Sequence, residues 1–232
     1  MNPLFIVPVV VVIGGIAFMI FMNKKHKAVQ SEINIDTERT KYDQYKQELL
    51  NSDYSKLKQW MKGKPIDAFT SASVPQSLAS KVEEHIADGI KKVALSAVGV
   101  RLIKVETDCF WVLSENDLHF FTTNSSGELD EHIVFDYFNI EKAKLEYGGI
   151  LKSTLGVYSK SSEEYLPKTH LITIDLEGSP ITLEIHDRLN YVVNPVDALN
   201  LEKQLRTRAK YQVVGEKFVD VLQNKFPNLK TT

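Results

Sequence analysis

Cys109-Phe-Trp-Val-Leu113, Ser114-Glu-Asn-Asp117 and Leu118-His-Phe-Phe-Thr-Thr123 follow one another without interruption. Two short runs of aromatic, β-branched and aliphatic residues flank four polar ones. That pattern predicts two strands joined by a tight turn, an antiparallel hairpin. The same texture extends both ways from about Val93. Upstream, Val98 to Val105 reads as a strand. Downstream, Asn124-Ser-Ser-Gly127 is a second turn. Strands are then predicted over His132 to Tyr137 and Ala143 to Tyr147, where Lys144 and Glu146 alternate with Ala143, Leu145 and Tyr147. Gly148-Gly149 ends that run, and 150–168 reads as a short strand with a Ser/Glu-rich loop. His170 to Leu176 and Ile181 to Ile185, joined by Glu177-Gly-Ser-Pro180, make another hairpin.

Asn194-Pro195 then starts a helix: Asn is a good N-cap, Pro suits the first helical position, and Asp197 favours the first turn. Ala198, Leu201 and Leu205 form one apolar stripe, expected to close the open end of a bent sheet. Tyr211, Val214, Phe218, Val221 and Leu222 form a second, expected to pack elsewhere, on the N-terminal helices. Gly215 between them reads as a bend.

Seven strands followed by one helix is the order of the pleckstrin-homology superfold. Phe110-Trp-Val-Leu-Ser-Glu-Asn-Asp-Leu-His-Phe-Phe121 resembles the aromatic hairpin common in bacterial pleckstrin-homology-like domains. Phe135-Asp-Tyr-Phe-Asn-Ile-Glu-Lys-Ala-Lys-Leu-Glu-Tyr-Gly-Gly149 is similar to the stretch that follows it there. The likeness covers roughly residues 95–210. It implies a bent antiparallel sheet, capped by the C-terminal helix, that serves interaction. The turn before the third strand often carries a basic residue in that family and here holds Asp117, so no lipid-binding residue is carried over.

The N-terminal part has a different texture. Pro3 to Met22 contains no charged side chain, and an uncharged run of that length spans a bilayer as a helix. It lacks a basic start and a small-residue cleavage site, so it reads as a retained anchor. Lys24, Lys25 and Lys27 follow it, which places the N-terminus outside and the bulk of the chain in the cytoplasm, at an inner membrane. Thr37 to Lys62 reads as one amphipathic helix, although its stripe shifts phase by one residue between Leu49 and Leu50. Gly63 and Pro65 end it. Pro65 to Gln76 reads as a small-residue connection, and Gln76 to Lys92 as a second helix. The expected domains are therefore an anchor over 1–22, a linker with helices over 23–92, and a pleckstrin-homology-like antiparallel β-barrel of about seven strands with its long C-terminal helix over 93–232.

Net charge is −2, which gives no overall field for nucleic acid, and the basic excess sits in 23–92, beside the anchor. The one cysteine, Cys109, cannot form an intramolecular disulfide and is expected to be a packed thiol. Lys56, Lys58, Lys62 and Lys64 flank Trp60. With Lys24, Lys25 and Lys27 they are the candidate membrane-surface contacts, against the plainer reading of a solvated lysine face over a packed Trp60. The histidines show no helical pair at metal spacing, but His119 and His132 are placed to face each other across neighbouring strands. Gly148-Gly-Ile-Leu-Lys-Ser153 lacks the glycine before lysine that a phosphate loop needs. Asp136, Asp175, Glu184 and Asp187 read as solvated carboxylates.

These residues predict an α+β, membrane-anchored interaction or scaffold protein that presents its module to a protein or membrane-surface partner. No catalytic residue, cofactor or metal is assigned. A cleft enzyme or ligand carrier and a homo-oligomeric stalk built on 37–62 are the alternatives.

Overall fold

Strands β2 (Cys109–Ser114) and β3 (Asp117–Thr123) pair antiparallel, with Trp111 opposite Phe120 and Leu113 opposite Leu118. They form the hairpin expected from the sequence. The turn between them holds Glu115 at φ +52°. The Glu115 amide donates to Asp67 Oδ2 at 2.9 Å, and Lys225 Nζ donates to the same oxygen at 3.0 Å. The computed structural model describes residues 19–21, 24, 34–74, 108–150, 168–176, 178–191 and 200–230, and elements are numbered over these.

The hairpin belongs to a seven-stranded sheet with β1 (Ala68–Ser73), β4 (Leu129–Phe135), β5 (Lys144–Ile150), β6 (Lys168–Leu176) and β7 (Ser179–His186). Strand order is β4-β3-β2-β1-β7-β6-β5, and each neighbouring pair is antiparallel. With the C-terminal helix α5 (Leu201–Lys225) this is an α+β fold. The sheet begins earlier than the sequence reading placed it. Ala68–Ser73, read as a connection, is instead the central strand, pairing β2 on one side and β7 on the other. Both its faces are covered, so it needs small side chains rather than a conspicuous apolar alternation. The expected helix over 76–92 and strand over 98–105 lie outside the described residues.

Strands β1 to β3 divide their side chains between two cores. Ala68, Ala72, Trp111, Leu113, Leu118 and Phe120 join the inner core, which also takes Phe218, Leu222 and Phe226. Phe69, Val112 and Phe121 point the other way and are equally buried. Helices α2 (Tyr42–Asn51) and α3 (Ser55–Trp60) cover that outer face, with Tyr54 5.3 Å from Phe69 and Trp60 5.6 Å from Phe121, ring to ring. Burial on both faces explains why Cys109 to Leu113 is continuously apolar.

The single helix expected over 37–62 is broken. Helix α1 (Ile35–Arg39), capped by the Asn34 side chain, precedes α2, and a turn at 52–54 separates α2 from α3. The one-residue phase shift in the stripe marks that turn. It swings Tyr54 inward, where its hydroxyl donates to Asn190 O at 2.8 Å.

The chain divides into two compact units: residues 1–41 with 191–210, and 42–190 with 211–232, which contain the sheet. The closing role expected of Ala198, Leu201 and Leu205 lies largely outside the described residues. Ala198 and the side chain of Leu201 lie outside the described residues, and Leu205 is half-buried in the first unit. Phe218 and Leu222, from the second stripe, fill the inner core together with Val219, which belongs to neither stripe. Gly215 is the reason. A Cβ there would lie 2.5 Å from Arg188 Cα, so only glycine lets the helix backbone approach the end of β7. The helix runs through it without a break.

Two further boundaries move. Tyr137 starts a short helix, α4 (Tyr137–Glu141), through a capping box between Asp136 and Asn139. Gly148-Gly149 makes a bulge and leaves β5 running to Ile150, with Gly149 at φ +111°. Of the expected anchor only Met19, Ile20 and Phe21 are described. Among the described residues no helix is long and apolar enough to cross a membrane.

Candidate functional site

The turn leaving α3 carries Lys62 at φ +50° and Gly63 at φ +88°. It sets Lys62 and Lys64 beside β3 and β4, over a pocket of about 190 Å³ lined also by Trp60, His119 and His132. The two histidines come from adjacent strands: His119 lies opposite Val134, and His132 opposite Phe121. Side chains on one face meet diagonally at that spacing. His119 Nδ1 and His132 Nε2 are 2.8 Å apart, and the His132 ring stacks on Phe121 at 4.2 Å. The expectation that these histidines face each other therefore holds.

One imidazole must donate to the other. His119 is buried and its Nε2 has no hydrogen-bond partner among the described residues, while His132 is exposed. Burial, then His132, then Lys64 hold His119 down at about 4, with Asp117 opposing. Burial, Lys64 and Lys62 lower His132. The pocket is thus electropositive. The carboxylate beside it, Asp117, lies 3.7 Å from Lys64 Nζ.

A second cluster joins β1 to β7. Ser73 Oγ donates to Glu184 Oε2 and lies 2.9 Å from His186 Nε2. The residue types are those of a hydrolytic triad, but the arrangement is not. The carboxylate meets the serine, and His186 Nδ1, where a triad places its acid, is buried with no hydrogen-bond partner among the described residues. With the serine hydroxyl donating to Glu184, the role left to His186 is to donate through Nε2 to Ser73 Oγ, and in that arrangement it is not the serine's base. The cluster pins the central strands together. Glu184, read as a solvated carboxylate, is in fact a structural acceptor. Asp187 is another departure from that reading. It accepts the Lys168 amide at 2.7 Å, and burial raises it to about 6.

The lysines chosen from the sequence separate. Lys56 bonds Gly127 O at 2.8 Å and Glu128 at 2.9 Å, and Lys58 bonds Asn51. Lys62 and Lys64 flank the pocket. Lys24 is exposed in a helical segment, and Lys25 and Lys27 lie outside the described residues. Trp60 packs on Phe110 and Phe121, the plainer of its two readings. Cys109 is buried, and its thiol is pushed up to about 11 by burial and then by Asp108.

Sequence reasoning missed an exposed apolar cluster at the β4 edge, where Val134 is 45%, Tyr137 45% and Phe138 71% exposed. Reading 132–137 as strand hid it. The signal was the Asp136 to Asn139 spacing, which marks a helix start.

Among the described residues no group of three or more His, Cys, Asp or Glu is placed to hold a metal ion. Comparison of the chain with protein-family models, with curated proteins and with solved structures finds no match.

Proposed function

We propose that this chain is a membrane-tethered interaction module. In this reading Pro3 to Met22 is the tether, residues 23–232 lie in the cytoplasm, and a pleckstrin-homology-type sheet and helix present a surface to a protein partner. The observation that carries it is the exposed aromatic pair Tyr137 and Phe138 beside the edge strand β4. Large apolar side chains left in water, next to a strand edge with no partner strand among the described residues, mark a surface built for contact. Seven antiparallel strands followed by one helix support the pleckstrin-homology part, and the uncharged run with its trailing lysines supports the tether.

Affinity capture of the full-length chain from its native membrane, beside a Phe138→Asp variant, tests the surface. A protein recovered with the wild type and lost with the variant is expected, and equal recovery of every protein removes the surface. A reporter fused at Thr232 tests topology, and an exported reporter overturns the cytoplasmic placement.

A further inference from the structure

We propose that the pocket between the α3–β1 turn and strands β3 and β4 binds a small oxyanion of the phosphate class, gripped by Lys62 and Lys64 above the His119–His132 pair. Lys62, Lys64, His119 and His132 are its four ionisable lining side chains, and none of its lining residues is acidic. Lysine ammonium groups are natural partners for phosphate oxygens. The pocket volume, about 190 Å³, is roughly six times a water's share of the liquid, room for a four-oxygen anion with some of its waters. Trp60 forms an apolar wall that lowers the local dielectric and strengthens the attraction.

The histidine pair makes the site adjustable. If His132 donates through Nε2 to His119 Nδ1, His132 can take a second proton on its own Nδ1 without breaking the 2.8 Å bond. The pocket then gains a third positive charge on its exposed histidine while the buried one stays neutral. Lys62 and Lys64 oppose that proton, whereas Asp117 on β3 favours positive charge only at His119. A bound anion cancels the lysines' opposition, so anion and proton bind cooperatively. The proposal does not depend on the tether or on the partner surface at Phe138.

The test follows the histidine ring signals of the full-length protein by NMR in neutral, phosphate-free detergent micelles. Inorganic phosphate and sulfate are titrated at low ionic strength, sulfate at pH 6 and pH 8 because its charge is the same at both. Saturable shifts of His119 and His132, with His170 unmoved, are expected, and sulfate should bind more tightly at pH 6. Lys62→Gln/Lys64→Gln should weaken binding about tenfold or more, as loss of two charge-assisted contacts implies. Lys62→Arg/Lys64→Arg should retain it and shows that the turn itself survives substitution. Bilayer discs of phosphatidylcholine with or without phosphatidic acid identify the source. Shifts with phosphatidic acid that free phosphate competes away assign the site to a lipid phosphate, and shifts with free phosphate alone assign it to a soluble one. Absent or non-saturable shifts, equal movement of His170, or binding unchanged in the glutamine variant overturns the proposal.

Discussion

Trp111 and Val112 are chain neighbours, and both are buried, yet they belong to different cores. Trp111 faces inward among Phe120, Phe135 and the side chains of α5, with rings 4.7 and 5.7 Å away. Val112 faces α2 and α3 with Phe69 and Phe121. The inner face is largely apolar, and its polar contacts include Trp111 Nε1 donating to Glu184 O at 3.1 Å and Thr70 Oγ1 donating to His186 O at 2.6 Å. The outer face mixes apolar packing with bonded polar groups: Tyr54 to Asn190 O, the Asn190 amide to Ser71 Oγ, Tyr211 to Asp53, and the His119–His132 pair. An apolar core supplies cohesion without direction, whereas hydrogen-bonded groups fix geometry. The ionisable pocket lies on the face whose geometry is fixed by such bonds. The chain has two tryptophans, and each face holds one of them.

The most severe way to break the inner face is Phe218→Asp. A carboxylate without a partner among Trp111, Ile172 and Leu222 should cost several kcal/mol, on the scale of the ~5–15 kcal/mol that holds a domain together. Leu205→Asp, half-buried and in the other unit, should cost under about 1 kcal/mol. Denaturant melts of the full chain decide it, and equal losses would return the closing role to the first stripe.

Leu57→Ala strikes the outer face alone. A fully buried leucine truncated to alanine should cost about 2–5 kcal/mol. Emission from Trp60 in a Trp111→Phe background should change, and emission from Trp111 in a Trp60→Phe background should not. Parallel changes in both would mean that the two faces are one cooperative core.

Gly215→Ala sharpens the comparison from the helix side. Its Cβ would meet Arg188 backbone atoms at 2.5 and 2.6 Å, which cannot yield as a flexible side chain would. A loss of about 1–3 kcal/mol is expected, reported by Trp111 before Trp60. An unchanged melting temperature would show that the helix has room to retreat.

The smallest effect is the pH dependence of the outer face. His119 titrates at about 4 in the fold against 6.5 in the unfolded chain, so the unfolded chain binds more protons between those values. The stability at stake is whole above pH 6.5 and falls as pH drops toward 4. Asp187 has the opposite sign: raised from 3.8 to about 6, it stabilises below that window and loses its contribution as pH rises through it. Melts at pH 7.5 and pH 5 should show a smaller difference in His119→Gln than in the wild type. An identical difference would place the pH sensitivity elsewhere.

The β2–β3 hairpin was legible because its strands and polar turn are adjacent in the chain, and local chemistry decides such a turn. So were the approximate strand count and the packed Trp60. The break between α2 and α3 was not: with its phase shift between Leu49 and Leu50 the stripe still reads as one helix. The central strand Ala68–Ser73 was not. Its small residues carry no periodic signal, and it becomes a strand because β2, β7, α5 and α2–α3 surround it. The same holds for which half of α5 closes the sheet. Both stripes are apolar at helical spacing, and the close approach of Gly215 to Arg188, which brings the second half against the end of β7, is invisible in that spacing. His119 and His132 could be paired from strand register alone. That Lys62 and Lys64 stand over them depended on how the turn after α3 folds back onto β3 and β4. Local composition by itself determines turns, periodicities and an uncharged run. Which faces are covered, and which charges meet, depends on contacts between residues far apart in the chain, which no local pattern encodes.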